Sequence, residues 1–188
     1  ILSTEVLQER VIEKFGMAFA DKTFIFHNAL DERLWMSEEN KVFENRNNIL
    51  RIGYFGTRTH DKDLDLIIQA YSLARQLLSD KYHIQINLEI ISGYTNIPHA
   101  IDGVSFINPP LNKTSYIEFV KWLRSYVNWD FVVAPLLDNR LNVAKSDLKF
   151  LEYSALRLPG IFSNIGEYAK TVQDGKNGLL VLSNSIEE

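Results

Sequence analysis

Two hydrophobic periods alternate along most of this chain. Short apolar runs of the kind found in strands, such as LRIGYFG (50–56) and HIQINLEIIS (83–92), alternate with segments whose apolar residues recur at helical spacing, such as LDLIIQAYSLARQLL (64–78). Strands that alternate with helices connect through right-handed crossovers and therefore lie parallel in one sheet. The pattern predicts an α/β domain, a Rossmann-like doubly wound parallel sheet, over residues 49–188.

Further elements of both kinds are predicted around these. WDFVVAPLL (129–137) is a nearly continuous apolar run, as expected of a strand buried on both faces. Thr114 is expected to cap a helix at its N-terminus, and Ser146 to begin another helix that ends before Pro159. The remaining predictions are strands at 23–28, 104–108, 159–164 and 178–183, helices at 3–16, 114–127 and 167–172, and a polar connector at 37–48.

Composition places the chain among ordinary globular proteins. It has 188 residues, of which 46% are hydrophobic and 23% charged, enough apolar material for one large core. The net charge of -4 gives no support for a general binder of nucleic acid or membrane surfaces, and the lack of cysteine excludes disulfides, zinc–thiolate sites and thiol nucleophiles. The chain starts at ILSTEV without methionine and stops at SIEE, which is typical of a helix start, so we expect a fragment of a longer protein.

Cations are concentrated in the loops after two predicted strands. GTRTHDKD (56–63) follows the first strand of the sheet, LDNRLNVAKSDLK (137–149) follows the continuous apolar strand, and each loop leads into a helix. Ligands of open parallel sheets bind outside the carboxyl ends of the strands, and helix N-termini attract anions. If both loops lie at one edge, they form a crevice suited to a phosphate. The cations are Arg58, His60 and Lys62 in the first loop and Arg140, Lys145 and Lys149 in the second.

The helix that follows the second loop starts with the wrong charge. Lys145 and Lys149 lie where a helix concentrates positive charge, at a cost of ~0.3–1 kcal/mol for each exposed cation. Glu152 lies on the apolar stripe of the same helix. Taken alone, Glu152 is either an edge residue with its carboxylate in water or an acceptor for a pair of ligand hydroxyls. A buried carboxylate needs partners, which a ribose would supply, and the two lysines favour that interpretation.

The sequence contains no strong metal or dinucleotide motif. Asp61-Lys62-Asp63 and Asp63-Leu64-Asp65 match the D-x-D pattern of metal-dependent sugar transferases of another fold, but the helix dipole alone favours acidic residues in a first turn. The four histidines are not spaced as a metal pair, and no G-x-G-x-x-G occurs. We therefore expect neither a metal on this domain nor a cofactor.

Residues 129–181 carry a series of motifs that resembles a known family. The motifs are Lys-x-x-Glu-Tyr, small residues, a short Pro strand, a Gly turn and D-G-x-N-G. They appear here as Lys149, Glu152, Tyr153, Ala155, Pro159, Gly166, Asp174, Gly175, Asn177 and Gly178. This region resembles the donor-binding half of retaining GT-B glycosyltransferases, the group 1 or family 4 class that transfers sugars from nucleotide diphosphates. Residues 51–71 resemble the first strand and phosphate loop of that family, and residues 24–35 its interdomain segment.

The resemblance implies a nucleotide-sugar site and roles for some of its residues. In the family, the last Glu of an E-x7-E motif binds the ribose of the donor, and Glu152 occupies that position. Main-chain N–H groups of Asp147 and Leu148 would meet the diphosphate, whose charge the lysines would offset. The implied nucleotide-sugar-binding residues are Gly56, Thr57, Arg58, His60, Lys62, Ile107, Arg140, Asn142, Lys145, Ser146, Asp147, Leu148, Lys149 and Glu152.

Three positions depart from the family pattern. Thr57 stands where the family has an Arg, Asp63 replaces a Gly, and Ala144 replaces the first Glu of E-x7-E, which normally touches the sugar. The resemblance leaves the transferred sugar open, and it implies that another residue takes over from the missing Glu. The candidates are Lys145, Arg140 and Asn142.

The function implied is that of the donor-binding domain of a glycosyltransferase that builds polysaccharide or cell-surface glycan on a glycan or lipid-linked acceptor. Residues 1–48 would then be an interdomain segment or the end of an acceptor-side domain, and residues 49–188 the donor domain. We expect the fragment to be inactive alone, and the whole protein to work in the cytoplasm or at the inner face of the membrane. The alternatives are a non-catalytic GT-B-like binding module and a GT-B sugar-nucleotide epimerase; the base, the sugar and the acceptor stay open.

Overall fold

The computed structural model describes residues 1–36, 48–56, 61–91, 100–113, 115–182 and 186. Among these residues, six strands form one sheet in which all neighbours are parallel. The strands are β1 (Ile49–Phe55), β2 (Gln85–Ile91), β3 (Val104–Ile107), β4 (Phe131–Ala134), β5 (Gly160–Ser163) and β6 (Leu179–Val181). The α-helices are α1 (Glu5–Phe15), α2 (Glu32–Trp35), α3 (Asp61–Tyr82), α4 (Tyr116–Tyr126), α5 (Leu148–Ala155) and α6 (Tyr168–Thr171), with 3-10 helices at Met17–Lys22 and Asn142–Ala144.

The strand order is β3-β2-β1-β4-β5-β6, so the predicted Rossmann-like doubly wound fold is confirmed. From β1 the chain proceeds outward to β3, then returns to β4 beside β1 and proceeds outward on the other side. The order therefore reverses between β1 and β4, and a crevice opens there outside the carboxyl ends of the strands, where open α/β sheets bind ligands. The two cationic loops follow β1 and β4.

Buried apolar clusters cover the two faces of the sheet. Ile52 and Tyr54 of β1 pack in one cluster with Leu64 of α3. Phe55 belongs to the other cluster, which also contains residues of α4 and Tyr153 of α5. Strand β4 lies between β1 and β5 and contributes side chains to both clusters, as its continuous apolar run predicts.

The strand predicted at residues 23–28 is wrong. Ile25 makes an isolated β-bridge with Leu2, outside the sheet. Phe24 and Phe26, which belong to the apolar run that predicted this strand, are 68% and 71% exposed. The pattern therefore marks apolar side chains on the surface of this N-terminal segment.

The other predicted elements occur with shifted ends. Helix α4 has Ser115 as its N-cap, whose side chain accepts a hydrogen bond from the N–H of Glu118 at 3.3 Å, so the cap predicted at Thr114 is one residue too early. Thr114 itself and most of the predicted connector, residues 37–47, lie outside the described residues.

Candidate functional site

Helix α5 begins at the crevice, one residue later than predicted. Asp147 is its N-cap residue, but the carboxylate makes no cap and instead accepts a hydrogen bond from Thr171 Oγ1 at 2.9 Å. Ser146, the predicted cap, accepts a hydrogen bond from the side-chain amide of Asn28. The first N–H groups of a helix have no acceptor within it, so the N–H of Leu148 is a donor suited to an anion.

Lys149, in the first turn of α5, forms a largely buried ion pair with Glu152 in the second turn. The distance between Lys149 Nζ and Glu152 Oε2 is 3.1 Å, and the two side chains are 18% and 8% exposed. Lys149 Nζ also lies 3.9 Å from the ring centroid of Phe55, the last residue of β1, a geometry that adds cation–π attraction. Glu152 is therefore not an edge residue with its carboxylate in water, and that interpretation is wrong.

Burial changes the proton affinity of groups around this pair. It lowers the pKa of Lys149, and the neighbouring Glu152 carboxylate partly offsets that lowering. Burial also raises the pKa of the Tyr168 hydroxyl well above its usual value, and the nearby carboxylates of Glu152, Asp147 and Asp63 raise it further. The carboxylates that influence Tyr168 come from both α3 and the start of α5, so these elements converge.

Asp63, in the first turn of α3, joins this helix to the loop after β4. Its side chain is 4% exposed. Oδ1 accepts hydrogen bonds from the N–H of Leu137 at 3.0 Å and from Asn142 Nδ2 at 2.8 Å, and Oδ2 lies 3.6 Å from Lys145 Nζ. Because α3 follows β1 and the loop follows β4, the described parts of the two cationic loops share one crevice.

The structure describes three other predicted site residues, Gly56, Lys62 and Ile107, at different places along the sheet and α3. Gly56 directly follows β1, and its N–H donates to the Ile91 carbonyl at 3.2 Å. Lys62 is exposed in the first turn of α3, and Ile107 ends β3, two strands away from β1. Three further predicted residues lie outside the described residues: Thr57, Arg58 and His60.

Three residues are candidates to replace the missing Glu: Lys145, Arg140 and Asn142. Among them, Lys145 is the one that places a charge in the crevice. The guanidinium of Arg140 pairs with the Glu13 carboxylate of α1, and their side chains are 71% and 65% exposed, the setting of a weak surface ion pair. Asn142 is buried, and its side-chain amide donates hydrogen bonds to Asp63 Oδ1 and to the Leu137 carbonyl.

The loop that carries Lys145 is held between two distant segments. Ala144 is buried, and its carbonyl accepts a hydrogen bond at 3.0 Å from Oγ1 of Thr4, the N-cap residue of α1. On the other side, Gly166 has a φ of +54°, and a Cβ there would lie 2.8 Å from the Val143 carbonyl oxygen, so this close approach requires glycine. The position of the missing Glu is thus covered by the N-terminal segment.

Sequence reasoning misses the roles of Asp63, Thr4 and Asn28. Asp63 resembles an ordinary acidic first-turn residue, and the one available signal is that it replaces the glycine of the family pattern. Thr4 is recognisable as a helix cap, but its bond to Ala144 spans 140 residues. No local pattern encodes a contact over that distance.

The described part of the chain shows neither a metal centre nor a membrane span. Within those residues, no group of three or more His, Asp or Glu side chains could hold a metal ion, and no helix is long and apolar enough to cross a membrane. The expectation of a metal-free site stays a prediction.

Comparisons with known proteins place this geometry in a family. The family model described as "Glycosyl transferases group 1" matches residues 46–188. A search of curated proteins found no match to the chain.

Solved structures share the fold at low sequence identity. Anabaena Alr3699/HepE in complex with UDP and glucose has a TM-score of 0.66 and 14% identity, over 100% of this chain and 50% of that one. The pneumococcal O-GlcNAc transferase GtfA, in complex with UDP and GlcNAc, has 0.58 and 16%, over 100% of this chain and 34% of that one. The C-terminal domain of LpcC, a glycosyl transferase group 1 family protein from Francisella tularensis, has 0.53 and 20%, over 84% and 82%.

This chain spans half the length of Alr3699/HepE and a third of GtfA. At these identities the structures establish the fold, which is that of one half of a GT-B enzyme. The family model covers most of the sequence, and the chain therefore belongs to the group 1 glycosyl transferases.

Proposed function

We propose that residues 49–188 bind the nucleotide-diphosphate sugar donor of a glycosyltransferase, in the crevice between the carboxyl ends of β1 and β4. The observation that carries this proposal is the largely buried Lys149–Glu152 pair in the first two turns of α5, at the reversal of strand order. A buried ion pair adds little net stability to a fold, because desolvation offsets the attraction between its charges. A ligand that uses both charges explains why the pair stands there.

The proposed contacts divide the donor between the start and the interior of α5. The diphosphate accepts from the N–H groups of Asp147 and Leu148, with Lys145 and Lys149 offsetting its charge. Glu152 accepts from the two ribose hydroxyls, since one turn of helix rises ~5.4 Å, about the step from diphosphate to sugar. The remaining predicted residues, Gly56, Thr57, Arg58, His60, Lys62, Ile107, Arg140, Asn142 and Ser146, stay predictions.

When the donor binds in this way, Lys149 and Glu152 exchange each other for contacts with the ligand. The buried carboxylates of Asp63 and Glu152 and the half-buried ammonium groups of Lys145 and Lys149 carry two negative and two positive formal charges, which cancel. A diphosphate therefore gains most when Lys149 turns its ammonium toward phosphate and the ribose hydroxyls replace it as donors to Glu152. The same cations would stabilise the charge that develops on the leaving diphosphate during sugar transfer.

The proposal extends to the whole protein. Residues 1–48 form the interdomain segment or the end of the acceptor-side domain, and an acceptor-binding half of the same protein covers them. Exposed apolar side chains in this segment support that assignment, because Met17, Phe24 and Phe26 are 74%, 68% and 71% exposed. The acceptor is a glycan or a lipid-linked glycan of a polysaccharide pathway, and the protein works in the cytoplasm or at the inner face of the membrane.

The test is a calorimetric titration of the chain with UDP, GDP, ADP and their sugar derivatives. We expect one nucleoside diphosphate to bind better than the others, with unchanged affinity after EDTA treatment. The chain alone should not transfer sugar to an acceptor. Absence of binding by all three nucleoside diphosphates would overturn the proposal, and sugar transfer by residues 1–188 alone would contradict the need for an acceptor-binding half.

A further inference from the structure

The carboxylate of Asp63 is a buried charge at the crevice that the family resemblance does not explain, because the family has glycine at this position. Three of its contacts come from one loop: the N–H of Leu137, the side-chain amide of Asn142 and the ammonium of Lys145. Burying a carboxylate is unfavourable unless such partners satisfy it. Asp63 therefore ties the loop between β4 and α5 to the first turn of α3.

Asp63 favours the charged form of Lys145. The Lys145 side chain is 22% exposed, and burial lowers the pKa of its ammonium while Asp63 raises it again. An anionic partner favours the charged form of a desolvated ammonium and fixes its position. Asp63 thus supports the charge of Lys145 and holds its ammonium two residues before the N-cap of α5.

Asp63 itself is a poor ligand contact. Its side chain is 4% exposed, and its negative charge would repel a phosphate. Any benefit to an anionic donor must therefore act through Lys145 and the position of the loop.

We propose that Asp63 is a positioning residue for the donor, which holds Lys145 and the loop of residues 137–142 so that the ammonium meets the diphosphate at the start of α5. This inference rests on the proposed function and assigns to it a residue that touches no ligand. It accounts for the replacement of glycine by aspartate in a chain that also lacks the first Glu of E-x7-E.

The test is a double-mutant cycle with Asp63→Asn, Lys145→Met and the double variant. Asn keeps an oxygen for the N–H of Leu137 and the amide of Asn142 but removes the charge that faces Lys145. Each variant is titrated with UDP, GDP, ADP and the corresponding nucleosides. Each single change should weaken binding of the preferred nucleoside diphosphate roughly ten-fold, the effect of losing one charge-assisted contact. The double variant should bind no more weakly than Lys145→Met, and nucleoside binding should not change.

Asp102→Asn is the matched control. Asp102 is paired with Arg75 at 2.6 Å, next to the start of β3 at the opposite edge of the sheet, and its loss should leave affinity unchanged. Thermal unfolding of every variant separates a damaged fold from a lost contact.

Two outcomes overturn the inference alone. One is additive losses of diphosphate affinity in the double variant, and the other is an equal loss of nucleoside and nucleoside diphosphate binding by Asp63→Asn. If the parent chain binds none of the three nucleoside diphosphates, the proposed function fails and this inference fails with it.

Discussion

Ion pairs at the amino ends and at the carboxyl ends of the strands differ in how exposed they are. We call these two sides of the sheet its amino edge and its carboxyl edge. At the amino edge, between α3 and the starts of β2 and β3, a cavity of about 480 Å³ contains the Arg75–Asp102 pair, with side chains 39% and 85% exposed. At the carboxyl edge, the Lys149–Glu152 pair is 18% and 8% exposed. Exposed charges keep their hydration, whereas buried charges need protein partners or a ligand to offset its loss. Largely buried charge at the strand reversal is therefore the observation on which the proposed donor site rests.

The largest difference between the edges should appear in stability. Lys149→Met keeps side-chain bulk but leaves the buried Glu152 carboxylate without its cation, and removal of one partner from a buried pair costs about 3–5 kcal/mol. We expect the free energy of unfolding, measured with urea, to fall by that order. Arg75→Met at the amino edge should leave it nearly unchanged. Similar small changes in both variants would show that burial does not distinguish the two pairs.

Loss of the Glu152 carboxylate at the proposed donor site should weaken donor binding. Glu152→Gln keeps the shape of the side chain but replaces charged hydrogen bonds to the ribose, each worth ~1.5–3 kcal/mol, by neutral ones. Affinity for the preferred nucleoside diphosphate should fall roughly ten-fold or more, while the variant still unfolds cooperatively. Calorimetry measures the affinity, with Asp102→Asn as the control. Parent-like affinity would mean that Glu152 serves only its ion pair.

Donor binding should also take up protons. Burial lowers the pKa of Lys145 and Lys149 from the ordinary 10.5. A bound diphosphate favours the charged ammonium and moves each pKa back up, so at alkaline pH below 10.5 the complex holds more protons than the free chain. Titrations in two buffers of different ionisation enthalpy should reveal this uptake, which shrinks as the pH falls and both lysines stay protonated throughout. Proton release on binding would contradict the proposed contacts.

The smallest effect is expected for Arg140. Its pair with Glu13 is exposed on both sides, in contrast to the pairs in the crevice. Arg140→Ala should therefore leave the unfolding midpoint nearly unchanged and lower the affinity for a nucleoside diphosphate less than Glu152→Gln does. A loss of affinity as large as that of Glu152→Gln would mean that Arg140 leaves its surface ion pair to bind the donor.

Sequence predicts the sheet well because the strands carry their own signal. The continuous apolar run of β4 matches a strand buried on both faces, and the apolar residues of α3 recur at the spacing of a helix. The segment around Phe24 and Phe26 misleads because an apolar run does not say whether a neighbouring strand exists to bury the side chains. The sequence pattern shows which apolar side chains an element presents, and the neighbouring elements determine whether those side chains are buried.

The candidate site is predictable where a charge stands out against its local background. Lys149 and Glu152 break the rules for a helix start and an apolar stripe, so the sequence alone is enough to single them out. Asp63 obeys the rule for a first turn, so its long-range bonds to Asn142 and Lys145 become visible only when α3 and the loop after β4 meet. Local rules therefore find the groups that violate them and overlook those that satisfy them for another reason.

The most direct test of the proposed site pairs a change in the protein with a change in the ligand. The parent chain and Glu152→Gln are each titrated with the preferred nucleoside diphosphate and with its 2′,3′-dideoxy analogue, which lacks both ribose hydroxyls. If Glu152 accepts from those hydroxyls, the parent should prefer the natural ligand by roughly ten-fold or more, and the variant should lose most of that preference. An equal preference in parent and variant, or no preference in the parent, would contradict the placement of the ribose on Glu152.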